Sequence, residues 1–312
     1  MLADISMKQQ RRRHRIRCVK RHWQLYFIFL LPLLSVIIFS YMPMYGLQIA
    51  FKNYVVTDGI WGSRWVGLEH FTAFFTSHQF PRLMRNTIGI SLYSLIAGFP
   101  VPIFFAILIN ECVFTKFKKG VQMVSYAPHF ISTVVMVSMV IMFLNPRNGL
   151  IGRALAEFTG QRIDYMASAP HFWHIFVWSG IWQGMGFSAV IYIAALSGVD
   201  SSLHEAAKVD GAIKLQKIWH IDLPCIAPTI VILLILNFGS IMNVGFERVF
   251  LMQNQLNLSN SDVISTYVYR MGLERAQYSF SASVGLFNSV INAGMLLLVN
   301  QIAKKLGETS LW

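Results

Sequence analysis

The chain has 312 residues, of which 55% are hydrophobic and only 13% are charged, and its mean hydropathy is +0.51. Soluble globular proteins carry about 25% charged residues, so this composition excludes an ordinary soluble domain and predicts a protein that crosses a membrane several times. The net charge of +12 would suit nucleic acid, but Lys and Arg lie in short clusters beside apolar segments, as topology signals do. We therefore expect no nucleic-acid partner and a surface that contacts membrane lipid.

Residues 1–22 form a basic segment that ends where the first apolar stretch begins, at Trp23. A positive cluster directly before a membrane span favours retention of that end in the cytoplasm. The sequence therefore predicts a cytoplasmic N-terminal segment over 1–22. The charge bias of the later loops predicts a C-terminal tail, 304–312, on the same side.

Six apolar segments follow, each long enough to cross a bilayer, for which about 20 helical residues suffice. They predict an all-α fold, a polytopic membrane protein with six transmembrane helices in a domain covering 23–303. Prolines in several segments predict kinks and loose helix ends. The segments lie near residues 23–50, 83–112, 119–144, 171–199, 225–252 and 279–303.

A polar loop, 201–224, separates the fourth and fifth segments. Its first part, Glu205-Ala206-Ala207-Lys208, favours a helix, and Gly211 can end that helix because glycine adopts positive φ. A second short helix then leads to Pro224, since proline is tolerated in the first turn of a helix. The loop is therefore predicted to be a rigid helix–glycine–helix hook that docks on a soluble partner.

This loop resembles the EAA signature of permeases from importers of the ATP-binding-cassette (ABC) class. The signature is Glu-Ala-Ala, three residues, Gly, nine residues and Ile-x-Leu-Pro, and every fixed position matches. The resemblance implies a type I ABC importer permease fold and contact between the loop and a separate ATPase. The residues it implies for this coupling are Glu205, Ala206, Ala207, Asp210, Gly211, Ile221, Leu223 and Pro224.

The same resemblance implies the partners. A second homologous permease is expected to form a heterodimer with this chain, an ATPase dimer to grip the coupling loops, and an extracytoplasmic solute-binding protein to deliver the substrate. ATP and Mg are expected on the partner ATPase, with no cofactor on this chain. The implied location is the bacterial cytoplasmic membrane, with several passes and both termini in the cytoplasm.

Other stretches are similar to permeases that import oligosaccharides and polysaccharide fragments. That resemblance implies a saccharide substrate, with alginate and pectic oligouronides as the substrates associated with the subgroup. The stretches are 65–71 with 86–87, 245–249, 263–270 and 310–312.

Polar residues inside apolar segments are costly unless a cavity or a partner helix accommodates them. Each is a candidate for the substrate pathway and, with about equal weight, for a hydrogen bond between helices. Trp182 and Tyr192 could stack on pyranose rings, although packing in the core or against lipid explains them at least as well. Glu247 and Arg248 are expected near the outer end of the fifth segment, where a charge reaches water. The candidate pathway residues are Trp182, Gln183, Tyr192, Asn237, Asn243, Glu247, Asn288 and Asn292.

Small residues also recur in the fourth segment, at Gly180, Gly184 and Gly186. Such spacing lets helices approach closely. It predicts packing against a neighbouring span or a partner subunit.

Catalytic and metal-binding patterns are absent from the sequence. There is no Gly-Lys dipeptide and hence no P-loop, and Lys208 stands where a zinc-protease helix beginning at His204 would need its second histidine. The cysteines have no metal-ligand spacing. We therefore expect a transport subunit without a metal site, not an enzyme. The alternative, an ATP-independent secondary sugar transporter, needs a coupling-ion site, for which Glu247 is the one plausible carboxylate within a segment.

Overall fold

The computed structural model describes residues 21–305. The chain divides into two compact units, one ending at Leu68 and the other beginning at Glu69. This division separates the first helix from the rest of the single domain, 23–303, that the sequence predicts. The predicted basic segment as far as residue 20, and the predicted tail from residue 306 with its 310–312 motif, lie outside the described residues.

The first unit is a long helix followed by a small hairpin. No residue of its first helix is buried, as expected for a uniformly apolar helix whose solvent is lipid. In the hairpin, the ammonium group of Lys52 donates a 2.6 Å hydrogen bond to the carbonyl of Ile60 and lies 4.8 Å from the centre of the Trp65 ring. The elements are α1 (Trp23–Val36), a π-helical turn (Ile37–Tyr41), a 3₁₀ helix (Met42–Phe51), β1 (Lys52–Asn53), α2 (Gly59–Gly62) and β2 (Arg64–Trp65), which pairs antiparallel with β1.

The second unit consists of helices joined by short connections. Its α-helices are α3 (Glu69–Phe75), α4 (Phe80–Gly98), α5 (Pro100–Asn110), α6 (Thr115–Tyr126), α7 (Thr133–Leu144), α8 (Leu150–Thr159), α9 (Ala169–Ser197), α10 (Ser201–Val209), α11 (Lys214–Lys217), α12 (Leu223–Phe238), α13 (Phe246–Met252), α14 (Leu258–Ser261), α15 (Ile264–Tyr269) and α16 (Tyr278–Lys305). A 3₁₀ turn (Ala127–Phe130) and two π-helical turns (Ile218–Asp222 and Arg270–Glu274) interrupt or extend them.

Within residues 21–305, five helices are long and apolar enough to cross a membrane, and a bent pair brings the number to six if that pair is one span. The predicted fold class is therefore confirmed, with the two-stranded hairpin as a small addition. The five helices are Trp23–Phe51, Phe80–Asn110, Ala169–Ser197, Lys214–Phe238 and Tyr278–Lys305.

The third predicted segment, 119–144, is broken instead of continuous. Its first part, ending at Phe130, is bent by 101° relative to α7. Pro128 lies in the 3₁₀ turn at the break, and the hydroxyl of Ser132 accepts a 3.4 Å hydrogen bond from the backbone of Val135 to begin α7. Proline predicts a kink, but a right-angle bend also needs this new helix start.

When the bent pair is counted as the third span, Lys214–Phe238 is the fifth membrane helix. It differs from the predicted segment 225–252 at both ends. Its helical path already begins at Lys214, inside the polar loop, and it ends at Phe238. The chain then turns, and Gly245, with φ of +80°, starts α13. Because glycine adopts that conformation readily, Gly245 separates α13 from the fifth membrane helix within the predicted segment.

α9 is the central helix of the second unit. It packs against α4, α5 and α12. Phe176 of α9 is buried with Ile90 of α4 and Val249 of α13, and further along α9 Ala189 is buried with Ala106 of α5. α9 therefore fixes the positions of the helices that surround it along its length.

The glycines of α9 have different neighbours. A Cβ at Gly186 would overlap the backbone oxygen of Ser125, so the close approach of α6 to α9 depends on this glycine. A Cβ at Gly180 would overlap the guanidinium of Arg248. Gly184 faces open space as far as the described residues go. Gly186 thus serves the predicted helix packing, whereas Gly180 makes room for a charged side chain.

A buried ion-pair network fastens the segment that contains α14 and α15 to α4. The carboxylate of Asp262 is fully buried and lies 3.0 Å from Nη2 of Arg82 and 2.8 Å from Nη2 of Arg270. The side chain of Asn86 donates a 2.9 Å hydrogen bond to the Asp262 carbonyl. One carboxylate therefore compensates two cations from different elements.

Replacing that carboxylate should destabilise the second unit. In Asp262→Asn both arginines lose their counter-ion, and breaking a buried ion pair costs about 3–5 kcal/mol. We expect a markedly lower unfolding temperature of the purified protein in detergent, followed by tryptophan fluorescence. Glu157→Gln removes an exposed carboxylate and is the matched control; equal melting of the two variants would contradict the role given to Asp262.

Candidate functional site

The polar loop folds into the predicted hook. α10 is capped by Asp200, the residue before it, whose side chain accepts a 2.9 Å hydrogen bond from the Ser202 backbone N–H. Hydrogen bonds from Ser202, chiefly from its backbone, lower the pKa of Asp200, so this cap is charged near neutral pH. A negative charge at this end also suits the helix dipole.

Gly211 turns the hook. Its φ is +76°, its N–H donates to the Lys208 carbonyl at 3.1 Å, and the N–H of Ala212 donates to the Ala207 carbonyl at 2.8 Å. These two bonds form a Schellman motif, which closes the end of a helix and needs a left-handed residue at this position. The predicted role of Gly211 in ending the first helix of the hook thus has a defined backbone geometry.

The tip of the hook is apolar and exposed. Val209, Ile213, Leu215 and Trp219 are all more than half exposed. Of the predicted coupling residues, Glu205, Ala206, Asp210, Gly211 and Pro224 are exposed, whereas Ala207, Ile221 and Leu223 are partly buried. A contiguous exposed apolar surface with a polar rim is typical of a protein-docking site.

An ion pair missed by the sequence analysis joins the two arms of the hook. Nε2 of His204, in α10, lies 3.4 Å from Oδ1 of Asp222, at the start of the fifth membrane helix. Asp222 is 1% exposed, and neither of its carboxylate oxygens has a hydrogen bond among the described residues. The His204 imidazole is thus the polar neighbour of this buried carboxylate, and the contact ties the hook to the membrane helix. The sequence signal that could have indicated this contact was Asp222, an acidic residue directly before an apolar segment.

A cavity of about 620 Å³ lies beside α9, between α4, α5, α12 and the turn that follows α12. Its wall combines hydroxyl and amide side chains, aromatic rings and one arginine. The lining residues are Ser91, Ser94, Leu95, Gly98, Phe99, Pro102, Phe176, Phe187, Ser188, Val190, Ile191, Tyr192, Leu233, Asn237, Ser240, Ile241, Asn243, Val244, Gly245 and Arg248.

Four of the predicted pathway residues lie at or beside this cavity. Tyr192, Asn237 and Asn243 line it, and Asn288 donates a 3.0 Å hydrogen bond from its amide to Oδ1 of Asn243. Tyr192 also belongs to a buried cluster with α5, so most of its ring packs in the core. Asn237 and Asn243 are exposed, and they place amide groups where a hydrated ligand can reach them.

The other four predicted pathway residues do not line the cavity. Trp182 lies in an apolar groove between α5, α6 and α9. Gln183 donates a 3.0 Å hydrogen bond to the carbonyl of Ile131, at the break of the bent pair. The side chain of Asn292 accepts a 2.9 Å hydrogen bond from the backbone of Met242. Glu247 is exposed in the first turn of α13.

Arg248 is the charged residue of the cavity, and the sequence analysis did not select it as a pathway candidate. Its guanidinium carbon lies 3.8 Å from the centre of the Phe176 ring, and the group occupies the space left by Gly180. The sequence signal was a cation in an apolar stretch, but hydropathy alone placed it at a helix end. Gly245 starts α13 instead, and that short helix turns Arg248 into the cavity.

Membrane-length helices around a cavity whose largely apolar wall carries several polar side chains, with a hook between two of these helices, are the features of a transport permease. The chain belongs to the family of binding-protein-dependent transport system inner membrane components, whose model matches residues 98–308. The resemblance found in the coupling loop is thereby confirmed.

Individual relatives extend the likeness to nearly the whole chain. The polygalacturonan/rhamnogalacturonan transport system permease protein YteP of Bacillus subtilis (strain 168) is 40% identical over 310 residues, 99% of this chain and 96% of its own. Protein LplB of the same organism is 40% identical over 294 residues, 94% of this chain and 92% of its own. A chain in the crystal structure of a bacterial alginate ABC transporter, in complex with an alginate pentasaccharide-bound periplasmic protein, matches with a TM-score of 0.86 at 38% identity, over 95% of this chain and 99% of that chain.

Removing His204 should loosen the hook more than removing other polar side chains of the loop. In His204→Ala the buried Asp222 carboxyl group loses its polar neighbour, and leaving a buried polar group without a partner costs about 1–3 kcal/mol. We expect a lower unfolding temperature in detergent for His204→Ala.

The double variant His204→Ala/Asp222→Asn should lose less than the sum of the two single variants, because the pair is removed as a unit. His220→Ala, at an exposed histidine of the same loop, is the control and should melt like the wild type. Strict additivity in the cycle would show that the two side chains do not interact.

Proposed function

We propose that this chain is one half of the membrane pathway of an ATP-driven importer of oligosaccharides that contain uronic acids. The observation that carries the substrate class is the cavity, in which serine and asparagine side chains and an arginine interrupt otherwise apolar helices. Hydroxyl and amide groups suit the dense hydroxyls of a sugar, and aromatic rings such as Phe99 and Phe187 suit its apolar faces. The relatives support the acidic class, because their named substrates, polygalacturonan and alginate, are built from uronic acids.

The open wall of the cavity supports a second permease as partner. Asn237, Ser240 and Asn243 line the cavity yet are exposed in the single chain. Exposed polar groups at membrane depth need cover, since lipid cannot hydrogen-bond them. A homologous permease facing this wall would enclose the pathway. A solute-binding protein would deliver the sugar, as the family description implies.

The hook supports an ATPase dimer as the second partner, with ATP and Mg bound there and not on this chain. The apolar tip around Val209, Leu215 and Trp219 offers a docking surface, and Glu205 offers a polar contact at its edge. The Schellman closure at Gly211 and the His204–Asp222 pair make the hook a rigid extension of the fifth membrane helix. Closure of the ATPase dimer would then move whole helices and switch the access of the cavity.

This assignment also orients the chain. ATP is supplied in the cytoplasm, so the hook that contacts the ATPase lies on the cytoplasmic side. The chain itself lies in the bacterial cytoplasmic membrane. Lys116, Lys118 and Lys119, between the second and third segments, fall on the same side as the hook, in agreement with the preference of positive loops for the cytoplasm. Both termini then lie in the cytoplasm.

Purification and reconstitution test the proposal. The tagged chain, isolated from its native host in mild detergent, should bring down a second permease and an ATPase in a ratio of about one to one to two. In proteoliposomes with the binding protein, trigalacturonate should accumulate only when ATP is supplied. Transport by this chain alone without ATP would favour the secondary transporter instead, and import of neutral sugars only would contradict the acidic class.

Two variants of the hook should separate ATP hydrolysis from transport. Gly211→Trp forces a bulky side chain into a left-handed conformation and blocks the turn, and Glu205→Lys reverses a charge at the docking surface. Loss of a docking contact worth about 1.4 kcal/mol weakens the affinity for the ATPase about tenfold. We therefore expect sugar uptake to fall by about tenfold or more, while the protein still inserts into the membrane. Glu157→Lys makes the same charge change as Glu205→Lys at an exposed residue outside the hook and should transport normally; normal uptake in both hook variants would contradict the coupling role.

A further inference from the structure

We propose that Arg248 binds the carboxylate of a uronic-acid unit as it passes through the cavity, so that this residue selects acidic over neutral sugars. The inference rests on the proposed function and adds the side chain that reads the charge. Its basis is the position of Arg248, its lack of a counter-ion, and the polar groups beside it.

The backbone delivers Arg248 to the cavity wall. Gly245, at φ of +80°, reverses the chain after the fifth membrane helix, and α13 carries Arg248 three residues later. The guanidinium carbon lies over the Phe176 ring, 3.8 Å from its centre, where Gly180 has no side chain. A cation–π contact of this kind holds the guanidinium in place without using its N–H groups, which stay available to a ligand.

Arg248 lacks the anion that the other partly buried arginines have. Arg82 and Arg270 share the carboxylate of Asp262, at 3.0 and 2.8 Å. Over residues 21–305, no carboxylate lies within 4.0 Å of the Arg248 guanidinium, and neighbouring Glu247 makes no ion pair with it. An unpaired cation among apolar helices is costly, so a cavity that retains one has a site ready for an anion.

The groups around Arg248 suit a sugar acid better than a simple anion. Among the described residues that line the cavity, Arg248 is the only charged one. Ser94, Ser188, Ser240 and Asn243 line the same cavity and offer hydroxyl and amide groups for the sugar hydroxyls. A guanidinium can donate two parallel hydrogen bonds to a carboxylate, whereas hydroxyls and amides read the rest of the ring. The cavity therefore distinguishes a uronic acid from its neutral counterpart through one residue.

Equilibrium binding to the purified permease–ATPase complex in nanodiscs, without the binding protein, tests this directly. Two ligands with the same three sugar rings are compared, trigalacturonate and its methyl ester, in which each negative carboxylate is replaced by a neutral ester with one added methyl group. For Arg248→Gln we expect the affinity for trigalacturonate to fall by at least about tenfold, as expected for a lost charge-assisted hydrogen bond, and the affinity for the ester to change less than about twofold. Arg248→Lys keeps the charge but not the paired donors, so its loss should be intermediate.

Arg147→Gln is the matched control, because it removes one exposed arginine outside the cavity. It should bind both ligands like the wild type. The affinity of the wild type for trigalacturonate should fall with rising salt, and Arg248→Gln should abolish most of that dependence. A merely structural Arg248 would give equal losses for both ligands and an unchanged salt dependence, and this result would overturn the inference.

A second variant moves the charge without removing it. The Cβ of Gly180→Ala would push the guanidinium away from its present place, and a flexible side-chain end can yield without unfolding the protein. We expect selective weakening of trigalacturonate binding, smaller than in Arg248→Gln, with normal thermal stability. Unchanged affinity for both ligands in Gly180→Ala and in Arg248→Gln would also overturn the inference. If the wild type binds neither ligand but its complex still imports a neutral sugar, the acidic substrate class itself fails.

Discussion

A polar backbone in an apolar solvent must find every hydrogen-bond partner within the protein, and this constraint governs the whole molecule. Unbroken helices satisfy it internally. Where a membrane helix breaks, a side chain from a neighbour takes over: Gln183 bonds the Ile131 carbonyl at the bend, and Asn292 accepts from the Met242 N–H after the fifth helix. The irregular backbone that shapes the cavity therefore depends on these amides of neighbouring helices.

The same constraint divides the polar residues of the membrane segments into two groups. Gln183 and Asn292 hold broken helices together, and each already makes a hydrogen bond to the backbone at a break. Asn237, Asn243 and Arg248 face a cavity and keep groups free for a ligand. Both groups look alike in a sequence, since each is a polar residue in an apolar run. Their roles separate only when the neighbouring helix and its backbone are known.

The features that could be predicted from the sequence are those determined by residues close together in the chain. The hook follows from helix formers, Gly211 and Pro224, all within one short stretch, and its fold agrees with that reading. The helix count followed from apolar length alone. The end of the fifth membrane helix at Phe238 was not predicted, because apolar residues recur as far as Met252; Gly239 caps this helix, and Gly245, with φ of +80°, starts the next one. It was also not possible to predict whether Trp182 and Arg248 point into the cavity. Their orientation depends on how each helix is rotated, and that rotation is fixed by packing between residues far apart in sequence.

The 101° bend at Ile131 has a consequence for the surrounding bilayer. α7 has 12 residues and rises about 18 Å, well short of the roughly 30 Å hydrocarbon thickness. The preceding helix, α6, runs almost at right angles to it and carries Lys116, Lys118 and Lys119 near its start. Ile131 and Ser125 contact Gln183 and Gly186, near the middle of the membrane-length α9, so the bend lies near the middle of the bilayer. α7 therefore meets lipid over about half of the hydrocarbon thickness, and the other half is left to α6 and the helices beside it.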